Sequence, residues 1–310
     1  MSTEHESATI QPTAIRPALD WSDGQAPVAG STGRIKAVPA WLRFFSSELR
    51  LMFGRPRNLA LLGVLAIVPV FFGIVLRLTI NGGPSGGFPF LNQLAGNGVF
   101  LALVMLALVV SLPLLPLGVG VVSGDAIAGE AGHGTLRVLL TVPAGRTRLL
   151  LVKYAAIMVF SLAACLLIAV VSLIMGLILF HTGPVTLLSG NTISLGAGVL
   201  RVLVVTAYLA VAMTSFGAIG LAASTLTQHP VGAIAGLLVL AIASEICDQL
   251  PQLSAIHSFL PTHYWLAWDG LFRSPADWSG VEHGLVSSVL YAAIFAAIGW
   301  AKLTSADITS

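Results

Sequence analysis

Four ionisable side chains that could take part in chemistry lie close together in the sequence, between residues 245 and 263. Glu245 and Asp248 stand three residues apart, and His257 and His263 follow six residues apart beside Pro261. Carboxylates in such a setting bind protons or ions, and histidines act as acids, bases or metal ligands. The six-residue spacing of the histidines is poor ligand geometry without a third partner, so we expect no metal site. A single histidine of this kind is usually an ordinary interfacial residue.

The common catalytic motifs are missing from the sequence. No glycine-rich loop ends in Lys followed by Ser or Thr, as nucleotide hydrolysis requires, and there is no G-x-S-x-G or H-E-x-x-H motif. No Cys/His spacing fits a zinc site. We therefore predict that this chain catalyses no bond change and carries no cofactor.

The composition indicates a membrane protein. Of the 310 residues, 56% are hydrophobic and only 9% are charged, against roughly 25% charged residues in ordinary soluble domains. No basic cluster is interleaved with aromatic residues, which excludes nucleic-acid binding. The two cysteines lie inside apolar runs and are expected to be packing residues.

Six apolar stretches are long enough to cross a bilayer as helices, which takes about 20 residues each. The sequence therefore predicts an all-α membrane protein with six transmembrane helices. The stretches are 59–80, 99–122, 149–180, 199–226, 231–247 and 284–303.

The distribution of basic residues predicts the orientation in the cytoplasmic membrane. With the N-terminus inside, twelve of the fifteen Lys and Arg residues lie on the cytoplasmic side, and only Arg77, Arg201 and Arg273 lie on the other. Both termini are therefore expected in the cytoplasm. Residues 1–38 are polar and are expected to form a disordered tail without a signal peptide.

Two amphipathic elements flank the spans. Residues 39–53 place Trp41, Phe44, Phe45 and Leu49 on one helical face, which is typical of an elbow helix lying in the membrane surface. Residues 248–282 combine prolines with aromatics such as Trp265 and predict short interfacial or re-entrant helices on the outer face, although a plain aromatic belt fits equally well. Glu245, Asp248 and Trp265 are the candidate residues of a pathway or outer gate.

A charged segment between the second and third spans predicts a short amphipathic helix. Its acids precede its bases, the order that a helix dipole favours, and Leu136, Leu139 and Leu140 form one apolar stripe. The alternative is an ordinary cytoplasmic connector that follows the positive-inside rule.

This segment resembles the signature of ABC-2 type permeases, the membrane subunits of many ABC exporters. The resemblance extends to residues 39–310, with the elbow helix, the six spans, the inside termini and the aromatic element before the last span. The residues that carry the signature are Glu130, Gly134, Thr135, Leu136, Leu139, Leu140, Pro143, Arg146, Leu149, Leu150 and Lys153.

The resemblance implies that the segment is a coupling helix seated on a separate ATPase. Two ATPase subunits would bind ATP and Mg²⁺, and a second permease, identical or homologous, would complete the pathway for a lipophilic or amphipathic drug, antibiotic or lipid. The coupling residues it implies are Glu130, Gly134, Thr135, Leu136, Leu139, Leu140 and Arg146. Two alternatives stay open, namely an ion-coupled carrier and a membrane enzyme with an outer-face site formed by Glu245, Asp248, His257 and His263.

Overall fold

A computed structural model describes residues 40–81, 97–132, 145–180, 183–187 and 190–305 of the chain. All of these residues belong to one unit, Ala40–Ser310. The predicted N-terminal tail, and most of the segment predicted to form the coupling helix, lie outside the described residues.

Long helices dominate the described part of the chain. In chain order they are α1 (Ala40–Gly54), α2 (Pro56–Asn81), α3 (Val99–Ser111), α4 (Leu114–Asp125), α5 (Ala128–Gly132), α6 (Arg146–Leu179), α7 (Leu195–Leu226), α8 (Pro230–Asp248) and α9 (Ser279–Ser305). A two-residue strand pair, β1 (Val185–Thr186) and β2 (Thr192–Ile193), lies between α6 and α7, and its antiparallel register pairs Val185 with Ile193. Two 3₁₀ helices, Pro251–Phe259 and Asp269–Phe272, lie between α8 and α9.

Five of these helices, α2, α6, α7, α8 and α9, are long and apolar enough to cross a membrane. The pair α3 and α4 makes a sixth candidate, but its two halves meet at an angle of 55°. The sequence predicted one span over 99–122 and gave no sign of a break within it. The structure places the break at Pro113, which lacks the backbone N–H that would continue the ladder of hydrogen bonds through the junction.

Helix α7 forms the centre of the bundle. In its most apolar stretch 78% of the residues are buried, whereas the share is between 17% and 33% in the other four single spans. It packs against α4, α6 and α9. The outer helices expose large apolar side chains such as Ile67, Phe71, Ile178 and Val239, as a surface that faces hydrocarbon requires.

The helices run between two ends, which we name by the elements found there. The α1 end holds α1, the first turns of α2 and α6, and the last turn of α9, where Lys153 contacts Glu48 and Arg146 contacts Leu303.

The hairpin end holds the β1–β2 pair and the second 3₁₀ helix, where Leu271 accepts a hydrogen bond from Arg201 near the start of α7. The first 3₁₀ helix lies beside the middle of α9, where the Phe259 carbonyl accepts a hydrogen bond from Tyr291. This small strand pair is the one departure among the described residues from the predicted all-α fold.

The amphipathic segment before the first span is a helix, as predicted. Phe44, Phe45 and Leu49 of α1 are half-buried toward the bundle, whereas Trp41 is 55% exposed. The helix ends at Gly54, and α2 begins at Pro56, a position where the missing N–H of proline costs nothing. That α1 lies in the membrane surface remains a prediction.

A glycine pair brings α3 and α6 into backbone contact at the hairpin end. A Cβ atom added at Gly98 would lie 2.1 Å from the carbonyl oxygen of Gly176, and the reverse substitution would meet the Gly98 carbonyl at the same distance. Backbone atoms cannot rotate away as a side chain can, so the two helices must separate to accept any side chain here.

Replacing Gly98 with alanine is therefore expected to destabilise the protein. Overpacking of this kind typically costs about 1–3 kcal/mol. The midpoint of thermal unfolding in detergent would measure the loss. Gly63→Ala is the matched control, because nothing lies within 4 Å of an added Cβ at that helical position. Equal midpoints for the two variants would contradict the close crossing.

Candidate functional site

A buried lysine joins three elements at the α1 end. The ammonium nitrogen of Lys153 lies 2.6 Å from a carboxylate oxygen of Glu130 and 3.1 Å from one of Glu48. The Lys153 side chain is only 2% exposed, and the two glutamates are 18% and 19% exposed. Helix α6 supplies the lysine, α5 supplies Glu130 and α1 supplies Glu48, so one cation fixes three elements to each other.

A second ion pair lies beside the first. The guanidinium groups of Arg55 and Arg57 lie 2.5 and 2.8 Å from the same carboxylate oxygen of Asp125. The Asp125 side chain is 11% exposed, and both arginines are nearly half exposed. These contacts hold the start of α2 against the end of α4.

The six residues together form what we call the charged cluster: Glu48, Arg55, Arg57, Asp125, Glu130 and Lys153. They line one pocket with Met52, Asn58 and Ile157. Three acids face three bases, so the cluster is neutral as a whole. Removing Lys153 or Asp125 leaves two like charges without their counter-ion in a partly buried place, which is the costly case for ion pairs.

Arg146 makes a different contact, at the first residue of α6. Its guanidinium donates to the carbonyl oxygens of Leu303 and Thr304, at 3.1 and 2.9 Å, at the end of α9. A cation there satisfies carbonyl groups that lack partners within the helix and complements the negative end of its dipole. Nearby, the indole N–H of Trp300 donates to the hydroxyl of Thr147 at 2.9 Å. The start of α6 is thus attached to the end of α9.

The structure describes two of the seven residues that the sequence assigned to coupling. Glu130 and Arg146 stand on either side of residues 133–144 and make the contacts given above. Gly134, Thr135, Leu136, Leu139 and Leu140 lie outside the described residues.

Sequence reasoning missed the partners of Glu130 as site residues. Lys153 belonged to the motif, yet nothing in the sequence paired it with Glu48, which lies 105 residues away. The one available signal was a lysine inside an otherwise apolar helix, which persists there only when it is paired or functional.

Between the two ends of the bundle, two of the three predicted gate residues come together. Glu245 and Trp265 line a pocket of 110 Å³ with Pro113, the residue at the break between α3 and α4. The Trp265 ring meets Phe216 of α7 edge to face, with ring centroids 5.3 Å apart. Asp248 does not belong to this pocket.

Asp248 instead contacts both histidines that the sequence singled out. Its carboxylate oxygen lies 2.5 Å from Nδ1 of His263 and 3.9 Å from Nδ1 of His257. We call these three residues the His–Asp cluster. The sequence expectation of no metal site depended on the lack of a third ligand beside the histidines, and the structure places Asp248 in that position.

The connection between α8 and α9 is held to α7 by hydrogen bonds from Arg201 and Tyr208. Arg201 donates to the carbonyl oxygen of Leu271 at 2.5 Å, and the Tyr208 hydroxyl donates to the carbonyl of Tyr264.

At the start of α9, the Ser279 backbone N–H donates to Asp277 at 2.9 Å. Hydrogen bonds from Ser279 hold the pKa of the Asp277 carboxyl below its ordinary value.

A lateral pocket of 610 Å³ opens next to this connection. Tyr264 and Phe259 line one side, and α9 lines the other with Val286, Leu290 and Ile294. Its walls are mostly apolar, with Glu282 and His283 among the few ionisable residues that line it. A pocket of this composition suits an apolar or amphipathic ligand.

The fold and the charged cluster define a multi-pass membrane protein whose spans are tied together by charges at one end. A sequence model described as ABC-2 family transporter protein matches residues 55–242, more than half of the chain. The chain therefore belongs to the ABC-2 family of transporter membrane proteins and is a membrane permease of that family, which confirms the resemblance seen in the sequence. A search of curated proteins finds no match.

The matched residues cover most of the charged cluster and none of the His–Asp cluster. They include Asp125, Glu130 and Lys153 of the charged cluster, and Arg146. They end at Ile242, before Glu245 and before the whole His–Asp cluster.

Proposed function

We propose that the chain is the permease subunit of an ATP-driven exporter, powered by separate ATPase subunits that bind ATP and Mg²⁺. One observation carries the proposal, namely that Glu130 and Arg146 stand on either side of residues 133–144 and are both fixed to long helices. Glu130 is fixed to α6 and α1 through Lys153, and Arg146 is fixed to the end of α9. Family membership supports a transport role driven by a partner.

The mechanism we infer is rigid-body transmission. Residues 133–144 act as the coupling segment and rest on the ATPase, so ATP-driven closure of the partner displaces them. Because the charged cluster and Arg146 attach both ends of that segment to α6, α1 and α9, the displacement moves these helices as packed bodies. The 34-residue helix α6 then carries the movement to the hairpin end.

The charge distribution supports placing the α1 end in the cytoplasm. Among the described residues, the basic side chains at the hairpin end are Arg77, Arg201 and Arg273. Those at the α1 end are Arg43, Arg50, Arg55, Arg57, Arg146, Arg148, Lys153 and Lys302. This asymmetry agrees with the positive-inside rule, and both chain termini are then cytoplasmic.

The cargo we propose is a lipophilic or amphipathic compound, such as a drug, an antibiotic or a lipid. The lateral pocket beside α9 supports this class, because most of its wall surface is apolar. A second permease, identical or homologous, completes the assembly with two ATPase subunits.

Co-purification with an ATP-hydrolysing partner tests the proposal. We expect tagged chain taken from its native membranes to retain an ATPase, with two permease and two ATPase subunits by native mass spectrometry. Reconstituted vesicles should accumulate a lipophilic fluorescent probe only when the ATPase and ATP are both present.

The same vesicles separate the proposal from its two rivals. Uphill transport by this chain alone, driven by an imposed proton or sodium gradient, would show an ion-coupled carrier. Turnover of a substrate by the isolated chain would show an enzyme, with Glu245 and the His–Asp cluster as its first candidate residues. Either result would overturn the assignment.

A further inference from the structure

We propose that the His–Asp cluster that follows α8 binds a divalent transition-metal ion, with Zn²⁺ as the best match. The three ligands are Asp248 at the last residue of α8, His257 in the first 3₁₀ helix and His263 in the turn that follows. One donor atom from each residue lies within 4.8 Å of the other two. Imidazole nitrogen and carboxylate oxygen are both ordinary zinc ligands.

The distances from the Asp248 carboxylate to the two histidines fit a small cation after slight adjustment. Tetrahedral zinc with bonds of about 2.0 Å places neighbouring donor atoms about 3.3 Å apart. The Asp248 oxygen lies 2.5 Å from Nδ1 of His263 and 3.9 Å from Nδ1 of His257. To bind the ion, the first distance must lengthen and the second must shorten, each by less than about 1 Å. All three side chains are between 18% and 30% exposed, so they have room to move.

The orientation of His257 supports a cation at this place. Its Nε2 lies 3.1 Å from the carbonyl oxygen of Leu250, which can only accept a hydrogen bond, so Nε2 carries the proton. In the neutral ring, Nδ1 then presents a lone pair toward the Asp248 carboxylate. A metal ion placed between the Nδ1 lone pair and the carboxylate would satisfy both acceptors at once. The Leu250 carbonyl also supplies the outer contact that typically orients a metal-binding histidine.

Three protein ligands leave a fourth position open for water or another ligand. Glu245 lies one helical turn before Asp248, but its side chain lines the separate pocket with Trp265. The site thus has two histidines and one carboxylate, the ligand number typical of metal sites that keep an open coordination position. Because the ligands come from α8, the 3₁₀ helix and the next turn, a bound ion would tie these three segments together.

A Zn²⁺ titration of the whole chain tests this inference. The protein is purified in detergent with a tag that contains no histidine, and Zn²⁺ binding is measured by competition with a fluorescent chelator. We expect one Zn²⁺ per chain. Removing an outer-shell partner typically weakens metal binding about 10–100-fold, so His257→Ala and His263→Ala should each weaken it by about 100-fold or more.

His283→Ala is the matched control, since this exposed histidine lies in the first turns of α9 and stacks on Tyr264 outside the cluster. Co²⁺ gives a second readout, because a four-coordinate site produces visible absorption that the two ligand variants should lose. Asp248→Asn keeps the shape of the side chain and removes its charge. A loss of Zn²⁺ binding in this variant therefore reflects the loss of a ligand and not a change of fold.

Three outcomes would overturn the metal site. They are no Zn²⁺ binding by the parent chain at saturating excess, unchanged binding in both ligand variants, and an equal loss in His283→Ala. If the histidines and Asp248 hold only a shared proton, the parent chain will show the first of these outcomes and bind no Zn²⁺. None of these outcomes bears on the ATPase partnership, which is measured separately.

Discussion

Lys153→Met is expected to destabilise the permease by about 3–5 kcal/mol, the usual cost of removing one partner from a buried ion pair. The lysine is 2% exposed and faces two glutamates, so methionine leaves two carboxylates side by side with no cation between them. The midpoint of thermal unfolding, followed by fluorescence-detected size exclusion, should fall well below that of the parent chain.

Lys302→Met is the matched control for this loss. Lys302 lies in the last turn of α9 at the same end of the bundle, but it is exposed. Its replacement should leave the midpoint nearly unchanged. The double variant Lys153→Met with Glu130→Gln keeps a single carboxylate beside the methionine and should recover part of the loss, because residues in one network do not contribute additively. A Lys153→Met protein as stable as the control would show that the cluster does not hold α1, α5 and α6 together.

Glu130→Ala is expected to uncouple ATP hydrolysis from transport, a prediction that depends on the proposed function. Glu130 links the coupling segment to α6 through a 2.6 Å contact with Lys153. Coupling between sites is typically worth about 5–150-fold in an equilibrium. We expect the ratio of transported probe to hydrolysed ATP to fall by about tenfold, within that range, while the protein stays in the membrane.

Glu48→Ala is a close control for this variant. Glu48 is buried to the same degree and contacts the same ammonium group, but it belongs to α1 rather than to the helix that precedes the coupling segment. Both variants should lower stability alike, and only Glu130→Ala should lower the ratio strongly. Equal ratios in the two variants would assign Glu130 a purely structural role.

Hydropathy predicted most of the fold, because a run of about 20 apolar residues has few alternatives to a membrane-spanning helix. The helical nature of α1 followed from its aromatic face. The break at Pro113 was missed, since prolines occur inside membrane helices without always interrupting them, as Pro69 inside α2 shows. The strand pair was missed because two residues per strand leave no pattern.

The sites were less predictable than the helices. The motif indicated Glu130 and Arg146, but their partners come from distant segments that only the packed bundle brings together. The contact of Asp248 with both histidines was not predictable either, because Asp248 precedes His257 by nine residues and belongs to another helix. No local spacing rule describes how the chain after α8 brings both histidines to Asp248.

The junction at Pro113 divides the sixth candidate span between two sets of packing partners. Helix α3 packs on α6, where Gly98 meets Gly176, whereas α4 packs on α7 and α8. In the mechanism proposed above, a displacement of α6 would therefore reach α3 directly, while α4 would follow the core helices. The 110 Å³ pocket of Glu245 and Trp265 borders this junction, so a relative movement of the two halves would change its shape.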